Sequence, residues 1–227
     1  AEMGYEFTDY HDFAQVERPV ILRHDVDMSL DKALIFARLE NSKSIGSTYF
    51  VLLSTNFYNV FSRESGDVLQ EITALGHTIG LHFDEKRYPI QEQDDLKKFV
   101  NYERGILANA LGLDINVVSM HRPSKWILEN DVCFEGLVNS YSKTFLQDFK
   151  YLSDSRMHWR EDVTSIAKNR HSDKLHILTH PFWYSEANGQ IRGRLEDFIR
   201  NAVMERYYNV KDNLRDLEDI IKVEELQ

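Results

Sequence analysis

The stretch Val20-Ile21-Leu22-Arg23-His24-Asp25-Val26-Asp27 runs from three apolar residues directly into a cluster of four ionisable ones. A short apolar run bounded by polar residues is typical of a buried strand. Because successive side chains of a strand point to opposite faces, Asp25 and Asp27 share one face. Two carboxylates on one face repel each other, and a divalent metal ion beside them would relieve that repulsion.

A second interpretation of these carboxylates is structural. Ser29 is the expected N-cap of a helix, and acidic residues such as Asp25 and Asp27 commonly stabilise helix N-termini. Four other apolar stretches also end in ionisable residues, which favours the metal interpretation. They lead into His82, His121-Arg122-Pro123, Asp154-Ser155-Arg156 and His180-Pro181. The carboxyl ends of parallel strands meet at one edge of a sheet, so this repetition predicts a single active site.

The rest of the chain alternates between strand and helix patterns. Besides the first strand, residues 47–53, 78–81, 117–120 and 175–178 are predicted as strands, and 30–42, 67–75 and 94–111 as amphipathic helices. This order favours an α/β fold, either a parallel sheet or a βα barrel. No linker interrupts it, so we expect one domain over residues 1–227, with a C-terminal helical segment at about 195–226.

Composition excludes two classes of partner. The 227 residues carry a formal net charge of −10, which disfavours nucleic acid, because binding to phosphates depends on Lys and Arg. The longest apolar runs are far shorter than the roughly 20 residues that a membrane-spanning helix needs. We therefore expect a soluble, cytoplasmic protein. The sequence leaves the oligomeric state open.

Six motifs occur in a fixed order along the chain. They are R-H-D-V-D at 23–27, G-S-T-Y-F-V at 46–51, G-H-T-I-G-L-H at 76–82, H-R-P at 121–123, D-S-R-M-H-W at 154–159 and L-T-H-P at 178–181. The ordered set resembles the polysaccharide deacetylase superfamily, of carbohydrate esterase type, over about residues 19–184. It is most similar to the divergent branch associated with bacterial surface-polysaccharide biosynthesis. The resemblance implies a distorted (β/α) barrel of about seven parallel strands.

The same resemblance implies a metal-dependent hydrolase that removes an N-acyl group, acetyl or formyl, from an amino sugar or a sugar-containing precursor. Asp25 matches the general base, and Asp27 and His82 match metal ligands. Arg122 matches the arginine that orients and ionises the base. Carboxylate and imidazole together suit a divalent metal ion, with Zn²⁺ as the first choice.

Two further matches complete the implied catalytic set. Asp154 resembles the aspartate that supports the site, and His180 resembles the histidine that protonates the departing amine. The third metal ligand departs from the family pattern, because Lys86 stands where a second histidine follows the first by four residues. His121 is the first candidate for that place, and Asp84 is the second.

Substrate contacts are predicted from aromatic and basic residues. Trp126 and Trp183 are candidates to stack on a sugar ring, although packing in the core explains them about equally well. Arg23 and Arg156 are candidates to bind an anionic group, although surface ion pairing explains them as well. His24 is expected on the opposite face from Asp25, in a buried, hydrogen-bonded role.

Two alternative functions stay open at this level. The chain could be a catalytically silent carbohydrate-binding protein, because Lys86 replaces a family metal ligand. It could also be a metal-dependent hydrolase of a non-sugar amide, because a site that activates water is indifferent to what flanks the amide.

Overall fold

All strands of the central sheet run parallel to one another in a computed structural model that describes residues 3–185 and 190–226. The strands are β1 (Glu6–Thr8), β2 (Pro19–Val26), β3 (Thr48–Leu52), β4 (Thr78–Phe83), β5 (Val117–Met120), β6 (Val138–Asn139), β7 (Lys150–Ser153) and β8 (Leu175–Thr179). Their order in space is β6-β5-β4-β3-β2-β8-β7, and β1 pairs with the first half of β2. Seven strands thus form a curled half-barrel, which confirms the predicted distorted (β/α) barrel.

Helices lie between most of the strands along the chain, and two more follow β8. They are α1 (Leu30–Asn41), α2 (Arg63–Ala74), α3 (Gln93–Leu111), α4 (Lys125–Glu129), α5 (Val163–Lys168), α6 (Ile191–Asn213) and α7 (Leu217–Ile220). Ser29 caps α1 as predicted, since its side chain accepts a hydrogen bond from the Lys32 backbone N–H. Gly112 ends α3 in the left-handed conformation, at φ 67°.

The parallel arrangement brings the ionisable clusters to one edge of the sheet. Asp27 follows β2, His121 follows β5, Asp154 follows β7 and His180 follows β8, while His82 lies near the end of β4. The apolar residues of the same strands pack into the core, and this packing fixes the backbone from which these side chains extend.

The chain divides into two compact units, Ala1–Tyr184 and Ser185–Gln227. The first contains the whole sheet. The second contains α6 and α7, where the sequence predicts helices from about residue 195. A single domain over residues 1–227 stays a prediction. Among the helices of residues 3–185 and 190–226, none combines the length and the apolar composition that a membrane crossing requires.

Gly80 shows how closely the sheet interior is packed. A Cβ atom at this position would lie 2.6 Å from Cε1 of Phe50 and 3.0 Å from Cγ1 of Val117. We predict that Gly80→Ala lowers the free energy of unfolding by about 1–3 kcal/mol, because the buried Phe50 ring cannot move away freely.

Gly105→Ala is the matched control. Gly105 lies within α3 and has no heavy atom within 4 Å of its Cβ position, so alanine should stabilise the helix by up to about 1 kcal/mol. Urea unfolding followed by circular dichroism measures both changes. Equal stability of the two variants would contradict this account of the packing.

Candidate active site

Three side chains from three strands meet at the carboxyl edge of the sheet. Oδ1 of Asp27 lies 3.2 Å from Nε2 of His82 and 3.1 Å from Nδ1 of His121. The two imidazole nitrogens are 3.2 Å apart. The three atoms thus form a nearly equilateral triangle, and these residues form a group able to hold a metal ion.

The triangle fits a divalent ion. A tetrahedral centre with bonds of about 2.0–2.1 Å separates its ligand atoms by about 3.3 Å, close to the three observed distances. Oδ1 of Asp27 is buried and makes no hydrogen bond, as expected for an atom whose natural partner is a cation. Burial raises the pKa of Asp27, but the His121 and His82 imidazoles outweigh it and hold the pKa far below its usual range. The Asp27 carboxylate is therefore ionised, and a carboxylate with two imidazoles is a donor set suited to a divalent metal ion.

Asp25 lies next to this triangle and belongs to a buried ion pair. Its Oδ2 is 3.6 Å from Nε2 of His82. Nη2 of Arg23 donates to both carboxylate oxygens, at 2.9 and 2.7 Å. Although burial raises the pKa of Asp25, the Arg23 guanidinium holds it below its usual value. Asp25 is therefore a fixed, ionised carboxylate at neutral pH.

Arg23 makes hydrogen bonds and aromatic contacts inside the half-barrel. It donates to the Ser119 hydroxyl at 2.6 Å and to the Ser140 hydroxyl at 2.9 Å. The guanidinium carbon lies 5.0 Å from the ring centroid of Phe50 and 5.1 Å from that of Tyr141. These contacts supply hydrogen bonds and cation–π attraction to a charge that has no access to water.

Two predicted arginine roles are wrong in this geometry. Arg122 does not orient Asp25, because its guanidinium pairs with Asp84 and its side chain is 54% exposed. Arg23 is not open to an anionic substrate, because it is fully buried and paired with Asp25. Asp84, the second candidate for the third metal ligand, is occupied by Arg122 and lies outside the metal-ligating group, whereas His121 lies within it.

His180 lies beside Asp25 at the end of β8 and pairs with Asp154, which follows β7. Nδ1 of His180 donates to Oδ1 of Asp154 at 2.6 Å, and the His180 backbone N–H donates to both carboxylate oxygens. Nε2 of His180 points to the metal-ligating group, 3.9 Å from Oδ2 of Asp27. Burial lowers the pKa of His180, but its hydrogen bond to Asp154 and the nearby carboxylates raise the pKa above its usual value. The ring is therefore poised to donate a proton from Nε2.

The predicted substrate residues lie in different places. Trp183 lines a small cavity of about 20 Å³ together with Asp25, Asp27 and His180. Its indole Nε1 is buried and has no hydrogen-bond partner, so it is available to a ligand. Trp126 is exposed on α4, and Arg156 is exposed after β7; neither lines that cavity.

On the other face of β2, His24 belongs to a buried polar network whose other members the sequence did not single out. His24 shares a hydrogen bond of 2.6 Å with Thr179 of β8, and its Nε2 lies 2.9 Å from Oε1 of Glu40. Glu40 also accepts hydrogen bonds from Ser47 and Tyr49. The expected buried role of His24 is confirmed. Asp25 follows His24, and His180 follows Thr179. The network therefore fixes the backbone next to both of these site residues.

A simple signal could have identified the partner of Asp25. Arg23, Asp25 and Asp27 occupy alternate positions and therefore share one face of the strand. Because Arg23 precedes Asp25 by two residues, the alternation itself indicates that these two side chains are neighbours on that face. Ser119 and Ser140 carried no comparable signal, because their role depends on how β5 and the residues after β6 meet β2.

Comparisons with known proteins support the fold. No protein-family model and no curated protein matches the sequence. Among solved structures, the chain resembles the chitin deacetylase of the fungal pathogen Colletotrichum lindemuthianum, with 13% identity, a TM-score of 0.50, and coverage of 80% of this chain and 81% of that one. It also resembles the catalytic domain of the peptidoglycan N-acetylglucosamine deacetylase of Eubacterium rectale, with 14% identity, a TM-score of 0.49, and coverage of 81% and 83%.

The buried ion pair predicts a large difference between two arginines. We expect Arg23→Met to lower the free energy of unfolding by about 3–5 kcal/mol, because Asp25 would remain as an unpaired buried charge. Arg38→Met, at the exposed pair of Arg38 with Glu71, should change it by less than about 1 kcal/mol. Adding Asp25→Asn to Arg23→Met should recover part of the loss. Urea unfolding at neutral pH measures all three, and equal losses for the two arginine variants would contradict the assignment.

Proposed function

We propose that the protein is a metal-dependent hydrolase that removes an N-acyl group, acetyl or formyl, from an amino sugar. One observation carries the proposal: an ionised buried carboxylate, Asp25, and an imidazole that can donate a proton, His180, both lie beside a triangle of metal-ligating atoms. Amide hydrolysis needs this combination, since water must lose a proton while the departing amine gains one.

Asp27, His82 and His121 would hold the ion. When bound there, Zn²⁺ polarises the amide carbonyl and lowers the pKa of water from 15.7 to about 7. Three protein ligands leave further coordination positions for water and substrate, as catalytic zinc sites do. His121 would thus take the place that the family pattern gives to the histidine replaced by Lys86.

Asp25 would act as the general base. The Arg23 ion pair keeps this carboxylate ionised and fixes its direction, so it can accept a proton from water beside the metal-ligating group. A positioned base of this kind typically contributes ~10²- to 10⁴-fold to the rate. Arg23 acts only through Asp25.

His180 would act as the general acid. Its Nδ1 is engaged by Asp154, so Nε2 is the nitrogen that faces the site and can give its proton to the leaving amine. Because its pKa is raised, the ring keeps that proton to a higher pH than a free imidazole would. The two partners act in opposite directions, because Arg23 favours the ionised form of Asp25 and Asp154 favours the protonated form of His180.

A carbohydrate substrate is supported by the site and by the fold. The Trp183 indole N–H can donate to a substrate oxygen beside Asp25 and His180. The solved structures of similar fold include deacetylases named for chitin and for the N-acetylglucosamine of peptidoglycan. We extend the proposal to a sugar-containing precursor of a surface polysaccharide, handled in the cytoplasm, on the resemblance of the motifs.

Metal binding gives the first test. We predict that the chelator-treated protein binds one Zn²⁺ per chain and that His121→Ala weakens this binding more than about 100-fold, because direct ligands contribute more than their outer hydrogen-bond partners. His171→Ala, at an exposed histidine, is the control and should bind as the wild type does. Isothermal titration calorimetry measures both. Unchanged affinity in His121→Ala would remove His121 from the ligand set.

Hydrolysis gives the second test. Acetate or formate release is measured over a panel of N-acylated amino sugars and non-sugar amides. We predict that Asp25→Asn lowers the rate by about 10²- to 10⁴-fold and that Asp173→Asn, at an exposed carboxylate, does not. Activity at high pH should fall as His180 loses its proton, and Asp154→Asn should move that fall to lower pH, because it removes the charge that raises the His180 pKa.

The panel separates the alternatives. Release of acetate or formate from the non-sugar amides, but from no amino sugar, would favour the non-sugar hydrolase. Sugar binding without release from any compound would favour the silent carbohydrate-binding protein. Full activity in Asp25→Asn would contradict the assignment of the base.

A further inference from the structure

A second cavity, of about 330 Å³, lies in the first unit between α3 and residues 53–61, the segment that follows β3. This volume falls in the range of small-molecule sites, about 300–1,000 Å³. Aromatic rings, a carboxyl group and a guanidinium meet in its wall, which includes Phe61, Arg87, Tyr88, Tyr102 and Glu103. The proposed hydrolysis uses none of these residues.

Glu103 gives the cavity a hydrogen-bond acceptor. Its side chain is only 2% exposed. Oε1 accepts a hydrogen bond of 2.8 Å from the Tyr88 hydroxyl, whereas Oε2 is buried and has no hydrogen-bond partner in the part of the chain that the structure describes. Burial raises the pKa of Glu103 to about 7, so the carboxylate predominates above that pH. A ligand N–H that donates to Oε2 would satisfy this buried atom and stabilise the ionised form.

Aromatic rings give the cavity flat apolar surface. Tyr102 is 59% exposed and Phe61 is 69% exposed, and both line the cavity. Nucleobases stack on such rings, and the stacking tolerates any base because every base has a π-face. A planar heterocycle with an N–H group on its edge therefore complements both the rings and Glu103.

Arg87 adds a positive charge to the same wall. Its Nε lies 3.8 Å from Oε1 of Glu103, and its side chain is 57% exposed. A guanidinium with this exposure can also bind a phosphate group, to which it presents N–H donors in a planar fork. It would repel a cationic ligand. The ligand that fits the wall thus combines a planar base, an N–H donor and an anionic group, and a nucleotide has this chemistry.

The charge of the chain favours a single nucleotide over a polymer. Nucleic acid is bound through many contacts of Lys and Arg with phosphates, and the chain carries a formal net charge of −10. A single nucleotide needs only to place its phosphate groups on the Arg87 guanidinium.

The cavity wall is bonded to the backbone of the candidate metal site. The Thr55 hydroxyl donates to the Asp27 carbonyl at 2.9 Å, and the Tyr58 hydroxyl donates to the Val26 carbonyl at 2.6 Å. Both Thr55 and Tyr58 line the cavity. A ligand in the cavity therefore lies near the carboxyl edge of the sheet, where the reacting groups lie.

We propose that this cavity binds a nucleoside diphosphate. The base stacks on Tyr102 and Phe61 and donates an N–H to Oε2 of Glu103, and the phosphate groups pair with Arg87. The nucleotide is either free or part of the substrate, as the activating group of an amino sugar. Binding itself does not depend on the proposed hydrolysis, and only the second source rests on it.

The first experiment measures binding of UDP, CDP, GDP and ADP to the zinc-loaded full chain by isothermal titration calorimetry at pH 8. We expect at least one of them to bind with a Kd below about 1 mM. Tyr102→Ala and Glu103→Gln should each weaken this binding about tenfold, through a lost ring contact and a weaker hydrogen bond. Neither variant alters a metal-ligating residue, so any contact of the diphosphate with the metal ion stays the same.

Tyr208→Ala is the control, since Tyr208 is a comparably exposed tyrosine on α6, and it should leave binding unchanged. Because Tyr102 is exposed, its variant keeps the test valid even if Glu103→Gln unfolds. Failure of all four diphosphates to bind, or equal binding by the wild type and the cavity variants, would overturn the inference.

Arg87→Met tests the position of the phosphate groups. It should weaken binding of the diphosphate about tenfold and leave binding of the corresponding nucleoside unchanged, because only the diphosphate uses the guanidinium. Arg63→Met, at an exposed pair with Asp67, is the control and should change neither. An equal loss for the nucleoside and the diphosphate would contradict the assignment of Arg87.

Turnover identifies the source of the nucleotide. Acetate release is measured from N-acetylglucosamine and from its diphosphate conjugate with the nucleoside that binds best. A higher kcat/KM for the conjugate, lost in Tyr102→Ala, would show that the nucleotide is part of the substrate. Binding without this preference would identify a free nucleotide. Binding that weakens in the cavity variants, without release from any N-acylated compound, would support the cavity and contradict the proposed function.

Discussion

The ion pair between Arg23 and Asp25 is the interaction on which the candidate site depends. Both side chains are buried, and neither charge would be tolerated there without the other. The guanidinium also donates to Ser119 and Ser140, so β2, β5 and the residue after β6 are tied together inside the half-barrel. The carboxylate that faces the metal-ligating group is therefore fixed in direction and kept ionised by the core itself.

The same arrangement favours opposite protonation states in two neighbouring residues, Asp25 and His180. Arg23 holds the pKa of Asp25 down, and Asp154 holds the pKa of His180 up. Hydrolysis of an amide requires an ionised base and a protonated acid, and these two shifts favour those forms. Asp25 and His180 follow the paired residues His24 and Thr179 and so lie side by side next to the metal triangle, with His82 at 3.6 Å from Asp25 and Asp27 at 3.9 Å from His180.

Much of this could be predicted from local pattern. Strand alternation placed Asp25 and Asp27 on one face, and the repeated strand endings placed His82, His121 and His180 at one edge. The choice of Arg122 as the partner of Asp25 was wrong, because a motif match says which residue types recur but not which pair lies within reach. The burial of Glu103 carried no sequence signal, since a glutamate within an amphipathic helix is ordinarily a solvated residue.

The sequence by itself determined the α/β class, the parallel order and the carboxyl edge as the place of the site, because these follow from hydrophobic periodicity and from the direction of the chain. Only the tertiary structure decided which charges pair, that His121 completes the metal triangle, and that Glu103 faces a cavity. The physical reason is that pairing depends on distances between side chains from separate strands and helices, and the curl of the sheet sets those distances while leaving no trace in local composition.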